Sequence, residues 1–393
     1  MINQDNIKGH NTVCEAIKIV LKDKKKGMTS KQIYKAIIEN NLYEFNAKNP
    51  QNVVTSTIRI SCIGVDNKVS SRNKEFIIVS DDGNDIYYAL NDNSVNESNI
   101  YVYTKENFLS DVFMSEKEYD KLTALLKRKK NIILQGAPGV GKTFCAKRLA
   151  WSVMGEKNND RVCTVQFHQS YSYEDFIFGY RPTEKGGFEP RSGVFYDFCK
   201  KCRNDTNNKY FFIIDEINRG NLSKIFGELL MLIEADKRGE ENSINLVYGG
   251  EAFYIPTNLY IIGLMNTADR SLAMIDYALR RRFSFYTMKP AFENAENNGF
   301  SDYTATVECD LYFRTIDKIK ELNREIRKDT SLGKGFEIGH SYFSPNNTDV
   351  INDEWVCGVI EYDIIPLIEE YWFDDDKTAD KWISEFRSLI AGE

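Results

Sequence analysis

Residues 131–143 read Asn131-Ile-Ile-Leu-Gln-Gly136-Ala-Pro-Gly139-Val-Gly141-Lys142-Thr143: a short apolar strand runs into a glycine-rich turn closed by Lys-Thr. Residues 136–143 fit the pattern GxxxxGK[ST] at every fixed position, between a strand and a helical segment, which is the context the motif requires. Glycines let the loop curl so that successive backbone N–H groups point inward at phosphate. The positive end of the following helix adds to that field. The residues assigned to nucleotide binding are Gly136, Ala137, Pro138, Gly139, Val140, Gly141, Lys142, Thr143 and Phe144. In this chemistry Lys142 reaches the β- and γ-phosphates and the Thr143 hydroxyl binds Mg²⁺. The bland alternative is a chance glycine-rich turn.

Three further apolar runs, at 162–167, 210–214 and 259–263, alternate with helical segments. Uninterrupted apolar strands are buried on both faces, so the fold class is α/β, a parallel sheet sandwiched by helices. Beyond Pro290 the pattern turns helical, most clearly at 311–326 and 355–372. The expected division is a nucleotide-binding core at 108–290 and a helical lid at 291–393.

The run 210–214 ends in Asp215-Glu216, the form of a Walker B strand. Asp215 is placed to hold the magnesium shell, and Glu216 to orient and deprotonate the attacking water. Directly after the fourth strand comes Met265-Asn266-Thr-Ala-Asp269-Arg270. The amide of Asn266 can both donate and accept, which suits a group that holds water or γ-phosphate. Asp269 and Arg270 pair with each other or with a neighbour, or are plain exposed charges. Arg280, Arg281 and Arg282 follow a helical segment that starts at Ser271. An arginine at a subunit edge can neutralise transition-state charge on a neighbour's nucleotide. It can equally be a basic helix C-terminus, which the macrodipole favours. His340 and Ser341 lie where a lid approaches the nucleotide. Residues 185–188 and 248–254 read as hairpins, either pore-directed or ordinary surface turns. His168, after the second strand, reads equally as a packing residue.

The first 92 residues form a separate small domain, with an Asn- and Ser-rich linker at 93–107. Helical spacing at 10–21, a capping box at Thr29-Ser-Lys-Gln32 and Pro50 at a helix start give three helices. Strands at 75–79 and 86–90, joined through Asp81-Asp-Gly-Asn84, add a hairpin. Three helices and a hairpin outline a winged helix.

The chain has 393 residues, 42% hydrophobic and 28% charged, which suits two or three globular domains with real cores. The formal charge of -7 supplies no global field for nucleic acid, so any DNA contact needs a local basic face. No apolar run reaches the roughly 18 residues of a membrane span, and the N-terminus has no secretory core. A cytoplasmic protein without a membrane partner is expected. The eight cysteines are mostly single, and the Cys199/Cys202 pair lacks the second pair or histidines that zinc needs.

The segments QFHQSYSYEDFIFGYRP (166–182), IIDEINRGNLSKIFGELLMLIE (213–234), MNTADRSLAMIDYALRRRFSF (265–285) and IGHSYF (338–343) resemble the McrB family of AAA+ motor proteins. The resemblance covers roughly residues 108–373. It implies a hexameric ring that prefers GTP to ATP and a separate McrC-type subunit that stimulates hydrolysis and carries the nuclease. It implies restriction of DNA bearing modified bases as defence against phage. It makes Asn266 the signature asparagine, and Arg281 and Arg282 the trans-acting arginines. Residues 8–90 depart from the methylcytosine-flipping domain of the best-known members and resemble instead the HARE-HTH winged helix, seen in KGMTSKQIYKAIIENNLY (26–43). Lys31, Lys35, Arg59, Lys68, Arg72 and Lys74 are its candidate DNA phosphate contacts. No nuclease constellation is apparent in this chain. Two other function classes fit the same motifs. One is an ATP-driven remodelling protein whose winged helix binds protein. The other is a DNA-binding regulator that uses nucleotide as a switch, which an intact Glu216 argues against.

Overall fold

In a computed structural model the described residues are 12–22, 24, 27–43, 45, 49–62, 75–81, 86–90, 102–183, 186–247, 252–269, 280–293, 295–345 and 350–392. The chain divides into two compact units, Met1–Ile100 and Tyr101–Glu393.

The first unit runs α1 (Val13–Leu21), β1 (Met28–Thr29), α2 (Ser30–Glu39), α3 (Pro50–Ile60), β2 (Phe76–Asp81) and β3 (Ile86–Leu90). The capping box at Thr29 forms: the Gln32 N–H donates to the Thr29 hydroxyl and the Thr29 N–H donates to Gln32 Oε1. A second box, Thr12 with Glu15, starts α1. The strands pair antiparallel in the order β1-β3-β2. Pairs four residues apart, Ile33/Ile37 and Val54/Ile58, turn one face of α2 and of α3 onto Phe76 and Tyr88.

The second unit opens inside the stretch expected to be linker. Helix α4 (Lys105–Asp111) starts at residue 105, capped reciprocally by Thr104 and Asn107. Tyr103 precedes it, with its N–H on the Gly155 carbonyl and its hydroxyl on Asp111 Oδ2, 2.7 Å away. The same Asn-rich composition that reads as linker here supplies a helix cap.

Next come α5 (Glu116–Lys129), β4 (Asn131–Gly136), α6 (Lys142–Met154), β5 (Val162–Gln166), α7 (Tyr173–Phe176), β6 (Phe178–Pro182), β7 (Phe188–Ser192), α8 (Val194–Arg203), β8 (Tyr210–Asp215), α9 (Leu222–Phe226), β9 (Ile244–Asn245), β10 (Ala252–Phe253), β11 (Leu259–Asn266) and β12 (Ser284–Thr287). Five strands form the sheet, in the order β12-β4-β11-β8-β5, every neighbour parallel. Side chains alternate between its two faces. Ile133, Phe212, Ile214 and Ile261 enter one core, and Ile132, Leu134, Phe211, Ile213 and Ile262 enter the other. Both faces are apolar, so both take helices, as continuous apolar strands require. The parallel sheet expected from the sequence is the one observed.

The hairpin expected near 185–188 is the pair β6/β7, an antiparallel ladder. The one expected near 248–254 is β9/β10, with residues 248–251 outside the described set. The C-terminal region is helical: Asp310–Lys328, Asp353–Val359, Ile365–Tyr371 and Asp376–Ala391 enclose a separate apolar core. A single π turn, Ile360–Ile364, breaks the helical run expected at 355–372. It ends two residues before Pro366, which has no N–H to give. Among the described residues no helix is long and apolar enough to cross a membrane.

Phe212 is fully buried against Phe195 and Phe198, with ring centroids 5.0 and 5.6 Å away. Phe212→Ala is expected to destabilise the second unit by about 3–5 kcal/mol, read as a lower urea midpoint.

Candidate functional site

The P-loop leaves the carboxyl end of β4 and turns into α6. Gly139 and Gly141 both adopt φ of 75°, the left-handed region where a Cβ is strained. That conformation folds Lys142 back over the loop. Its Nζ donates to the Gly136 carbonyl (3.0 Å), the Ala137 carbonyl (2.9 Å) and Asn266 Oδ1 (2.8 Å). The last bond depends on sheet register. Asn266 ends β11 directly opposite Gly136, and the next residue, Thr267, donates its N–H to the Gly136 carbonyl.

Asp215 ends β8, on the other side of β11, and Glu216 follows it directly. The Glu216 N–H donates to Asp215 Oδ1 at 3.0 Å. Glu216 takes φ 50° and ψ 45°, a left-handed conformation unusual for a side chain of its size. Burial pushes the Lys142 ammonium down to about 8, and the Glu216 and Asp215 carboxylates oppose that fall. P-loop, Asp215-Glu216 and Asn266 thus converge on one cation. Thr143 lies in the first turn of α6. A hydroxyl and a carboxylate are the hard oxygen donors that Mg²⁺ takes, with phosphate and water filling its remaining positions. Thr143 and Asp215 therefore fit that ion.

Arg219 is a participant that reading the sequence did not single out. Its Nε donates to Glu216 Oε2 at 3.1 Å and its Nη2 to Asp269 Oδ2 at 3.0 Å. Asp269 therefore pairs with Arg219, and Arg270 lies outside the described residues. The i, i+3 spacing of Glu216 and Arg219 was the available signal; the span to Asp269 was not visible.

The C-terminal helical region reaches the P-loop through its main chain. The Gly339 N–H donates to the Pro138 carbonyl (3.1 Å) and the Ser341 N–H to the Gly139 carbonyl (2.9 Å). A Cβ on Gly339 would lie 2.0 Å from the Gly139 carbonyl carbon, so only glycine allows this approach. Thr267 Oγ1 donates to the Gly335 carbonyl, tying the same loop to the segment after Asn266. Asn323 fixes the loop from the helix side through both the N–H and the carbonyl of Ile338. His340 is buried beside Gly141, and its Nδ1 accepts the Ala291 N–H at 3.0 Å. That bond leaves the ring proton on Nε2. A cavity of about 840 Å³ opens beside the P-loop, lined in part by Phe113, Gly141, Phe144, Tyr303, His340 and Ser341. It has the size of a small-molecule site.

Arg281 and Arg282 stand at the opposite end of the sheet. They precede β12, whose first residue, Ser284, pairs with Ile132 near the start of β4. The P-loop leaves the far end of β4, so roughly 15 Å of parallel strand separates the arginines from it. The helical segment expected from Ser271 lies outside the described residues, as do Lys68, Arg72 and Lys74. Lys31, Lys35 and Arg59 are exposed, and Lys35 sits 3.6 Å from Glu39. Cys199 and Cys202 are buried and belong to the core.

Comparison with known proteins adds the relatives. Residues 131–283 match the AAA domain of the dynein-related subfamily, and residues 314–380 match the alpha-helical lid domain of McrB. The EcoKMcrB subunit of the type IV methyl-directed restriction enzyme of Escherichia coli K12 is 52% identical over 289 residues, 72% of this chain and 62% of its own. The BsuMI component YdiS, of a type II restriction enzyme of Bacillus subtilis 168, is 28% identical over 204 residues, 42% of this chain and 59% of its own. The chain spans about three fifths of the length of these relatives.

Burial lowers the His340 imidazole from 6.5 to about 4. The neutral ring is the form the fold accepts, so its contribution is complete above 6.5 and lost as pH falls toward 4. The loss is on the order of 3 kcal/mol. His340→Asn is expected to flatten this acid limb: thermal midpoints of variant and parent differ most at pH 7 and converge by pH 4.5. A constant difference across that range contradicts a buried neutral ring.

Proposed function

The core and lid of this chain, residues 131–283 and 314–380, are those of a McrB-family AAA+ protein, and from that premise we propose a nucleoside triphosphatase that drives a multi-subunit DNA restriction complex. The observation that carries the reading is the Lys142 ammonium, bonded at once to the P-loop carbonyls and to Asn266, with Asp215 and Glu216 near enough to act on its charge.

The chemistry follows from those positions. Main-chain N–H groups from Gly139 to Phe144 take the phosphates. Lys142 exchanges its loop carbonyls for phosphate oxygens. Thr143 and Asp215 hold Mg²⁺, which when bound offsets phosphate charge and orients its oxygens. Glu216 takes a proton from water attacking the γ-phosphorus in line, and Asn266 orients that water or the phosphate. Arg219 holds the Glu216 carboxylate and Asp269 in one charged chain. The cavity takes the base and ribose, with His340 and Ser341 on its lid side. GTP is the favoured substrate, on the family resemblance.

Arg281 and Arg282 lie a strand's length from their own P-loop, so this segment serves the nucleotide of a neighbouring copy. A closed ring, hexameric by resemblance, meets that need. Cleavage of DNA falls to a McrC-like nuclease subunit. The N-terminal unit, three helices with a sheet ordered β1-β3-β2, is proposed as a DNA-binding winged helix, with Lys31, Lys35 and Arg59 contacting phosphate.

Steady-state hydrolysis of GTP and ATP with Mg²⁺ tests the centre. Glu216→Gln is expected to cut turnover by about 10²–10⁴-fold while nucleotide binding persists, and Lys142→Ala to abolish binding. ATP turnover alone, with GTP inert, moves the assignment to an ATP-driven remodelling protein whose N-terminal unit binds protein. For the N-terminal unit, Lys31→Glu with Lys35→Glu is expected to weaken DNA binding and flatten its salt dependence. Unchanged DNA affinity removes that face from the interface.

A further inference from the structure

The arginine pair has a socket of its own. Both side chains face a single carboxylate oxygen, Glu234 Oε1: Arg282 Nε lies 3.3 Å from it and Arg281 Nη2 lies 3.7 Å from it. The two differ sharply in exposure. The Arg281 side chain is 75% exposed, that of Arg282 only 12%, and that of Glu234 26%.

The backbone beneath them is fastened from inside. Asn131, fully buried at the start of β4, donates its amide to the Arg282 carbonyl (3.2 Å) and to the Ile233 carbonyl (2.8 Å). Ile233 immediately precedes Glu234. Asn131 in turn accepts from Arg238 Nη2 at 2.5 Å. Arg238 is buried as well, and also donates to the carbonyls of Ile233 and Leu259. One polar cluster therefore fixes both the segment that carries the carboxylate and the segment that carries the arginines.

We propose that Glu234 is a positioning residue for hydrolysis in a neighbouring copy: it anchors Arg282 inside its own subunit and holds Arg281 at the rim, so that Arg281 is the arginine presented to the neighbour's nucleotide. This rests on the reading that the arginines act in trans. The physical reason is charge and reach. Arg280, Arg281 and Arg282 are consecutive like charges, and the Glu234 carboxylate between the last two offsets their repulsion. A guanidinium as covered as Arg282 depends on a paired anion. Arg281, tethered at one edge and open elsewhere, keeps a free face for phosphate.

The test uses the full chain in steady-state GTP hydrolysis, with nucleotide affinity and thermal midpoint measured on each variant. Arg281→Ala and Glu234→Gln are each expected to lower kcat about 10-fold or more with KM nearly unchanged. The double variant is expected to match Arg281→Ala alone, because the carboxylate acts through that arginine. Glu234→Asp, which keeps the charge on a shorter stem, is expected to recover part of the turnover. Wild-type kcat in Glu234→Gln, or a double variant that falls by the product of the two losses, overturns the proposal. So does Arg282→Lys losing as much turnover as Arg281→Ala while keeping its thermal midpoint.

Mixing separates this proposal from the reading beneath it. Lys142→Ala subunits keep the arginine socket but have no working site. Arg281→Ala and Glu234→Gln subunits keep the site but lack a working socket. Each is expected to regain turnover when mixed with Lys142→Ala. Recovery by Arg281→Ala but not by Glu234→Gln overturns the positioning role alone. Recovery by neither overturns action in trans, and the proposal with it.

Discussion

A half-buried ammonium organises the nucleotide site. Taking the Lys142 charge out of water is costly unless acceptors replace the lost hydration. The chain supplies two main-chain carbonyls from the loop that carries the lysine and one amide oxygen from the neighbouring strand. The fall of its pKa to about 8 records how far burial outweighs the nearby carboxylates. Each acceptor comes from a different piece of geometry. The carbonyls need the left-handed glycines at 139 and 141, and the amide needs Asn266 level with Gly136 across the ladder. A one-residue slip of β11 moves Asn266 to the other face, and the cation loses its third partner.

Register is in turn secured by the two apolar faces of the sheet. Alternate residues of β4, β8 and β11 enter separate cores, so a slip exchanges both sets at once and leaves neither packed. The same strands separate the two ends of the chemistry. The P-loop, Asp215 and Asn266 gather where the strands end, and the arginine socket sits where β4 and β12 begin. A rigid sheet of fixed length thus keeps Arg281 and Arg282 away from their own P-loop.

Much of this was legible in the sequence because it is local. The P-loop, the Asp215-Glu216 strand end and Asn266 are short runs in which chemistry dictates residue type at fixed spacing, and the continuous apolar strands announce a sheet buried on both sides. What escaped is made of pairs distant in the chain. Arg219 meets Asp269 fifty residues away, and Glu234 meets Arg282 with the strands β9, β10 and β11 between them in the chain. Asn131 reads as a polar residue opening a strand, with nothing local to show that it ties down two loops. Composition misled at 105–107, where polar residues that suggest a linker serve as a helix cap. The π turn before Pro366 escaped because periodicity averages over a single inserted residue.

The seam between lid and P-loop is sewn with main chain. Gly339 and Ser341 offer only their amide hydrogens, and Pro138 and Gly139 only their carbonyl oxygens. Such a seam is almost blind to the identity of the residues that form it: replacing Ser341 by alanine leaves its amide in place. What heredity can act on there is vacancy of side chain, at Gly339, where a single added carbon collides with the loop opposite. Side-chain truncations at these four residues therefore pass over the seam in silence, and the enlargement of Gly339 exposes it.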